Sequence, residues 1–233
     1  MASRQDFWEF FDDFIGPAKT VPATAEHDSP WGATDTSSAG TPTYVIGVDH
    51  GTTGGACGVL AIDFDSQAEA QNVCISFDDV LQFDISDRLI YECRLKQNQA
   101  TADAATSFAF GLTGDRNDTI DSIAQNILFR YIGDNNIVCE TDDGTTDLDD
   151  KATSQTLTNA YKYFKIDLQD LTDVKFFMGD ADGRLKRVAK TVTFDVSAYA
   201  GALQPFFQLQ KTSDANTDGV SIDYVRVTGK RLT

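Results

Sequence analysis

The sequence predicts an all-β protein: a two-sheet antiparallel jelly-roll sandwich over residues 44–233, with an extended N-terminal arm over residues 1–43. Three observations predict it. Short runs rich in β-branched and aromatic residues recur from Tyr44 onward. Within the clearest run, Leu89, Tyr91, Cys93 and Leu95 alternate with Arg88, Ile90, Glu92 and Arg94, a period of two. Turn chemistry separates the runs, as in Gly133-Asp134-Asn135-Asn136, Asp142-Asp143-Gly144 and Asp180-Ala181-Asp182-Gly183.

In chain order, the first element is the segment up to residue 16. Phe7, Phe10, Phe11 and Phe14 stand at i, i+3, i+4, i+7 with Asp6, Glu9, Asp12 and Asp13 between them, the pattern of a short amphipathic helix. A helix of about three turns is marginal alone and needs a surface to pack on: its own sandwich, a neighbouring copy or another protein. A rival reading makes Asp12–Ile15 part of a first strand. Residues 17–43, punctuated by Pro17, Pro22, Pro30 and Pro42, read as a connecting segment without regular structure. Trp31 is its natural anchor. Phe7, Phe10, Phe11, Phe14 and Trp31 are therefore the candidate partner contacts.

Predicted strands follow at 43–49, 58–64, 72–77, 88–95, 107–112, 126–132, 136–141, 161–168, 174–178, 191–196, 203–211 and 220–227. Residues 119–125 are the one helical turn expected in the body. A chain of 233 residues with 41% hydrophobic content supplies one extended core without a second domain.

Charge narrows the partners. Thirty-six acidic against 19 basic residues give a net −17, which disfavours nucleic-acid binding. The N-terminus lacks the basic start and apolar centre of a signal peptide, and no apolar stretch approaches a membrane span. The expected setting is a reducing cytoplasm, with no membrane partner. Cys57, Cys74, Cys93 and Cys139 form no C-x-x-C pair, and the histidines are His27 and His50 alone. Buried thiols rather than a zinc site are expected.

Catalytic patterns are missing. Glu140, Asp142, Asp143, Asp147, Asp149 and Asp150 crowd one segment but lack the spacing of a calcium loop, and Asp180-x-Asp182-Gly183 continues into Arg184-Leu185-Lys186-Arg187. His50-Gly51-Thr52-Thr53-Gly54-Gly55 lacks a P-loop ending and reads as a wide turn. Two histidines in loop-like contexts signal no nucleophilic grouping. Tyr161, Tyr163, Phe176 and Phe177 are candidates for sugar stacking on one sheet. No catalytic residue, cofactor or metal is expected, and the chain is expected not to be an enzyme.

Several stretches resemble the concanavalin A-like jelly-roll superfamily of lectins and glucanases. They are Arg88–Leu95 followed by Ser107–Thr113, Tyr161–Leu168 followed by Val174–Phe177, and the closing run Ile222–Val227. The glucanases of that superfamily carry a Glu-x-Asp-x-(x)-Glu strand, and the nearest strings here, Phe77-Asp78-Asp79 and Phe83-Asp84-Ile85-Ser86-Asp87, contain no Glu. A narrower resemblance, carried by Phe11-Asp12-Asp13-Phe14, Asp142-Asp143-Gly144-Thr145 and Leu203–Lys211, is to tailed-phage capsid decoration (cement) proteins. It implies a virion structural protein assembled in the host cytoplasm and bound to the outside of the capsid. Its partner would be the major capsid protein and its homo-oligomer a trimer. The alternative is a carbohydrate-binding, lectin-like protein of the virion or host-surface recognition.

Overall fold

The computed structural model describes residues 7–26, 29–47, 58–180 and 182–230. The strands begin with β1 (Phe7–Asp12), β2 (Lys19–Thr20), β3 (Gly32–Asp35), β4 (Thr43–Ile46), β5 (Leu60–Asp63) and β6 (Gln71–Ser76). They continue with β7 (Phe83–Asp84), β8 (Ile90–Gln97), β9 (Thr106–Thr113), β10 (Asn126–Ile132), β11 (Asn136–Asp142) and β12 (Asp147–Thr156). The last are β13 (Lys162–Asp167), β14 (Lys175–Gly179), β15 (Lys186–Arg187), β16 (Ala202–Lys211) and β17 (Gly219–Lys230). Among the described residues helical structure is confined to two 3₁₀ turns, Ile85–Asp87 and Ile120–Ser122.

Two antiparallel sheets pack face to face. The first runs β15-β14-β13-β8-β17-β5-β4-β2, with β1 beside β17; the second runs β12-β11-β10-β9-β16-β6-β3, with β7 beside β16. The two longest central strands are the spines. β17 pairs β8 along one side; on the other its first half pairs β5 and its second half pairs β1. β16 likewise takes β9 on one side and β7 then β6 on the other.

Alternation fills the space between them. Tyr91, Cys93, Leu95, Phe164, Ile166 and Phe176 of the first sheet meet Phe108, Phe110, Leu112, Phe129 and Phe207 of the second. The rings interlock edge to face: Phe110 on Phe164 at 4.8 Å, Phe129 on Phe164 and on Phe176 at 5.1 Å, and Phe176 on Phe194 at 4.8 Å. Each such pair adds about 0.5–1.5 kcal/mol beyond its buried area. Cys74, Cys93 and Cys139 are free and buried.

The N-terminal expectations are corrected. Phe7, Phe10 and Phe11 lie on a strand, not a helix, and Phe14 follows it at φ +55°: β1 pairs Phe7–Asp12 with Lys230–Val225 of β17. The helical count had passed over Trp8, which points inward with Phe10, stacks on Phe83 at 5.2 Å and donates from Nε1 to Asp87 at 2.9 Å. The exposed edge of a 12-residue strand satisfies the β1 backbone outright, which a short isolated helix cannot match. Nor do the described residues of 1–43 form a separate arm. β1 and β2 belong to the first sheet and β3 to the second, and Trp31 is fully buried among Phe10, Phe14, Phe77 and Phe207.

Two further differences concern the body. Residues 191–196 form no strand, although Phe194 and Val196 are buried and bond through the backbone to Val174 and Leu171. The acidic stretch from Asp147 is a strand, β12, at the edge of the second sheet.

Candidate functional site

The outer face of the second sheet is unusually polar for a surface that is largely covered. Along β16, Leu203, Phe207 and Leu209 enter the core, so alternation turns Gln204, Phe206, Gln208 and Gln210 outward. β6 contributes Asn72 and Cys74 to the same face; β9 contributes Ser107 and Ala109; β10 and β11 contribute Leu128, Arg130 and Glu140.

Residues 114–125 fold across the middle of this face. Ile120 and Ile123 cover Phe206, Cys74, Ala109 and Leu128 in a small apolar cluster separate from the main core. The segment is fixed at its start by Asp79, whose carboxylate accepts from the Arg116 amide at 2.8 Å and the Gln204 side chain at 2.7 Å. It closes through Gly114 N–H to the Gln125 carbonyl at 2.9 Å. The covering segment divides the outer face in two.

One half is a buried ion network. Arg130 Nη1 donates to Glu140 Oε2 at 2.9 Å and also to Asp121 of the covering segment. Asn126 Nδ2 donates to the Ile123 carbonyl at 3.1 Å and to Glu140 Oε1 at 3.4 Å. Burial pushes the Glu140 carboxyl up to about 7, against the opposing pull of Arg130. At 1% exposure it is out of reach of a ligand.

The other half holds a pocket of about 380 Å³, lined by Thr36, Ser38, Asn72, Ser107, Asp118 and Gln210 among others. The amides hold one another in place. The Asp118 carbonyl accepts from Asn72 Nδ2 at 3.0 Å, from Gln208 Nε2 at 3.1 Å and from Gln210 Nε2. Gln208 Nε2 also donates to Asn72 Oδ1 at 2.9 Å, and Asn72 Nδ2 donates to Thr36 Oγ1 at 2.8 Å. Gln208 Oε1 is buried and lacks a partner among the described residues. Lys211, at the pocket's edge, is spent on the carbonyls of Asp65, Gln67 and Asn216 at 2.8–3.0 Å, and burial lowers its pKa. Apart from Asp118, whose carboxylate pairs with Arg116, and Lys211, the wall is amides and hydroxyls, which can exchange hydrogen bonds with a hydroxyl-rich molecule.

The residues singled out from sequence lie elsewhere. Of the five candidate contacts, Phe14 and Trp31 are core, Phe10 packs against it, and only Phe7 (68% exposed) and Phe11 (51%) face outward, on the first sheet. Phe176 is also core, while Tyr163 and Phe177 lie on the outer face of the first sheet, where Arg94 sits 4.3 Å from the Tyr161 ring centre and 5.5 Å from that of Tyr163. Asp142 and Asp143 cap the turn before β12 by accepting from the amides of Gly144, Thr145 and Thr146. No group of three metal-ligating side chains comes together among the described residues. His27, His50 and Cys57 lie outside those residues. Asn72, Ser107, Gln208 and Gln210 were missed; their signal was the amide spacing Gln204, Gln208, Gln210 on a strand whose alternate positions are apolar.

No family model matches the sequence, and no curated protein matches it. Solved structures do. A protein of unknown function from Shewanella oneidensis MR-1 superposes with a TM-score of 0.60 at 12% identity, over 97% of this chain and 90% of that one. The carbohydrate recognition domain of Emp47p gives 0.55 at 12% identity, over 98% and 99%. The fold is a two-sheet antiparallel jelly roll, the fold of these neighbours. The exoplasmic/lumenal domain of VIP36, in a form bound to Ca²⁺ and Man2, superposes on this jelly roll with a TM-score of 0.55 at 8% identity, over 96% and 90%.

Proposed function

We propose that the chain is a carbohydrate-binding, lectin-like protein whose ligand seats in the Asn72–Ser107–Gln210 pocket on the outer face of the second sheet. The observation that carries this reading is the wall of amides and hydroxyls, held in one geometry by the Asp118 carbonyl. Sugars are recognised by such fixed donors and acceptors, with little desolvation penalty from charge. The carbohydrate-recognition domain and the Man2-bound domain among the similar folds support the same class of ligand. Binding without hydrolysis is proposed, because hydrolysis needs two carboxyls reaching the scissile bond. Glu140, whose carboxyl burial raises, is enclosed against Arg130; Asp147, also raised, lies on the edge strand β12 and does not line the pocket. A glycan array followed by titration tests it. The reading expects a neutral glycan hit whose affinity falls about tenfold in Asn72→Ala/Gln210→Ala. An unaffected hit, or none, sinks it.

A second reading keeps the capsid decoration protein, a trimer held on the virion by the major capsid protein after assembly in the host cytoplasm. One observation favours it: Phe7, Phe11 and nearby Ile15 leave apolar side chains exposed around β1. Co-sedimentation with undecorated capsids, lost in Phe7→Ser/Phe11→Ser, is its test.

A further inference from the structure

At the side of the sandwich where β12 ends the second sheet and β14–β15 end the first, the two layers part around a cleft of about 520 Å³. Five cationic residues line it: Lys162, Arg184, Lys186, Arg187 and Lys190, against the carboxylates of Asp180 and Asp182, although Arg187, paired with Phe177, turns its guanidinium to the outer face and Asp173. That is a strongly cationic recess in a chain of net charge −17 with only 19 basic residues.

The local chain explains the concentration. A tight turn, closed by Gly183 N–H to the Asp180 carbonyl at 2.9 Å, folds β15 back on β14 so that Lys186 pairs with Met178 and Arg187 with Phe177. Paired residues share a face. Met178 is buried, so Lys186 takes the inward side of the edge, at a position where a sandwich normally has an apolar residue. The opposite wall is a break in β12. Its register jumps between Ile137–Gln155 and Val138–Ala152, leaving Thr153 and Ser154 out of the ladder, with Ser154 at φ +60°.

Acidic neighbours neutralise only part of this charge. Lys162 pairs with Asp180 at 2.6 Å, Arg187 with Asp173 at 3.1 Å, and Arg184 more loosely with Asp182 at 3.8 Å. Among the described residues Lys186 and Lys190 make no ion pair, and Arg187 Nε is buried without an acceptor. The hydrogen bond and charge of Lys162, with Lys186 adding, hold the Asp180 carboxyl below its ordinary value. The protein's overall negative charge does not cancel this field, since charges more than about 8–10 Å away are largely screened at physiological ionic strength.

We propose that this cleft is an anion-binding site for an acidic saccharide, with the carboxylate or sulfate met by Lys186 and Lys190 and the hydroxyls by Ser154, Gln155 and Thr191. The volume suits a small ligand, and the walls combine cations with neutral hydroxyl and amide groups. The site is independent of the pocket on the second sheet, so either can fail without the other. Inward lysines also guard an edge strand against pairing with other chains, but that role makes no demand for cations gathered around a recess.

Calorimetric titration of the full chain with trigalacturonate, a sulfated disaccharide, a neutral galactose trimer, inorganic sulfate and inorganic phosphate tests the assignment. The expected result is one-to-one binding of the uronate or the sulfated sugar, weakened by added salt. It should fall more than about tenfold in Lys186→Glu/Lys190→Glu and persist in Asn72→Ala/Gln210→Ala. Both lysines are exposed. Lys186→Ala/Lys190→Ala gives a smaller loss, about threefold, should the reversed charges impair folding. Equal binding of the neutral trimer, unchanged affinity in both lysine variants, inorganic anions binding as tightly as the sugars, or no binding at all would overturn it.

Discussion

The Gln208 side-chain amide of β16 donates to the Asp118 carbonyl at 3.1 Å, tying a central strand to the segment that lies across its sheet. The same nitrogen donates to Asn72, so one side chain sets the geometry of the pocket wall. Replacing Gln208 by Ala should lower stability by about 1 kcal/mol, because two hydrogen bonds go while the Asp118 carbonyl keeps its donors from Asn72 and Gln210. Urea unfolding measures that loss. Glycan affinity should fall with it, although Gln208 is not itself among the pocket-lining residues.

Trp31 should be worth far more to the fold than the exposed phenylalanines. Trp31→Ala leaves a cavity between Phe14, Phe77 and Phe207 and loses the Nε1 bond to Asp12 at 2.7 Å. The expected cost is about 3–5 kcal/mol. Phe7→Ser and Phe11→Ser should each stay within about 0.5–1 kcal/mol of the parent. Deletion of residues 1–43 should abolish cooperative unfolding, since it removes strands from both sheets; a deleted chain that still unfolds cooperatively would contradict this.

Stability should carry a pH dependence traceable to Glu140. Its carboxyl is raised by burial to about 7 in the fold and titrates near 4.3–4.5 when unfolded. A raised acid contributes its full stability below the unfolded value, and that contribution is lost as pH rises through the folded value. Between about pH 4.5 and 7, Glu140→Gln should therefore gain on the parent by about 1–3 kcal/mol, read from paired denaturation curves. A shift in the parent's favour over that window would mean that the Arg130 contact outweighs burial.

Gly111, in the middle of β9, has φ +150°, and a Cβ there would come within 2.3 Å of the Ile127 carbonyl oxygen on β10. Gly111→Ala should cost about 2 kcal/mol or more, because the clash is with backbone rather than a movable side chain. A melting temperature equal to the parent's would contradict the close approach.

Strands buried on one face were legible from sequence for a simple reason. The alternation in Leu89–Leu95 is the imprint of a core on one side and solvent on the other, and β8 carries it unbroken. β12 left no such imprint. Asp147–Thr156 is an edge strand with two register breaks and left-handed residues at Asp150 and Ser154, so its sequence reads as an acidic loop. β1 reads as helical because Phe7, Phe10, Phe11 and Phe14 fit a helical spacing; the inward pair Trp8 and Phe10 and the free edge of β17 make it a strand. The candidate site was the least legible part. Its residues come from β6, β9 and β16, from the segment after β3 and from the covering segment, and Ile120 and Ile123, which hold that last segment down, are two apolar residues in an otherwise polar stretch. In sequence, Arg184–Arg187 reads only as wrong for calcium; the cleft it serves exists because the sheets part at their edges.

The most direct test is to map the ligand on the protein. Backbone amide shifts should be followed by NMR as the glycan hit is titrated into the labelled full chain. The perturbations should concentrate at Thr36, Ser38, Asn72, Ser107, Asp118 and Gln210. Perturbations confined to the Tyr163–Phe177 side of the first sheet, or no shifts at saturating glycan, would contradict a carbohydrate site on the outer face of the second sheet.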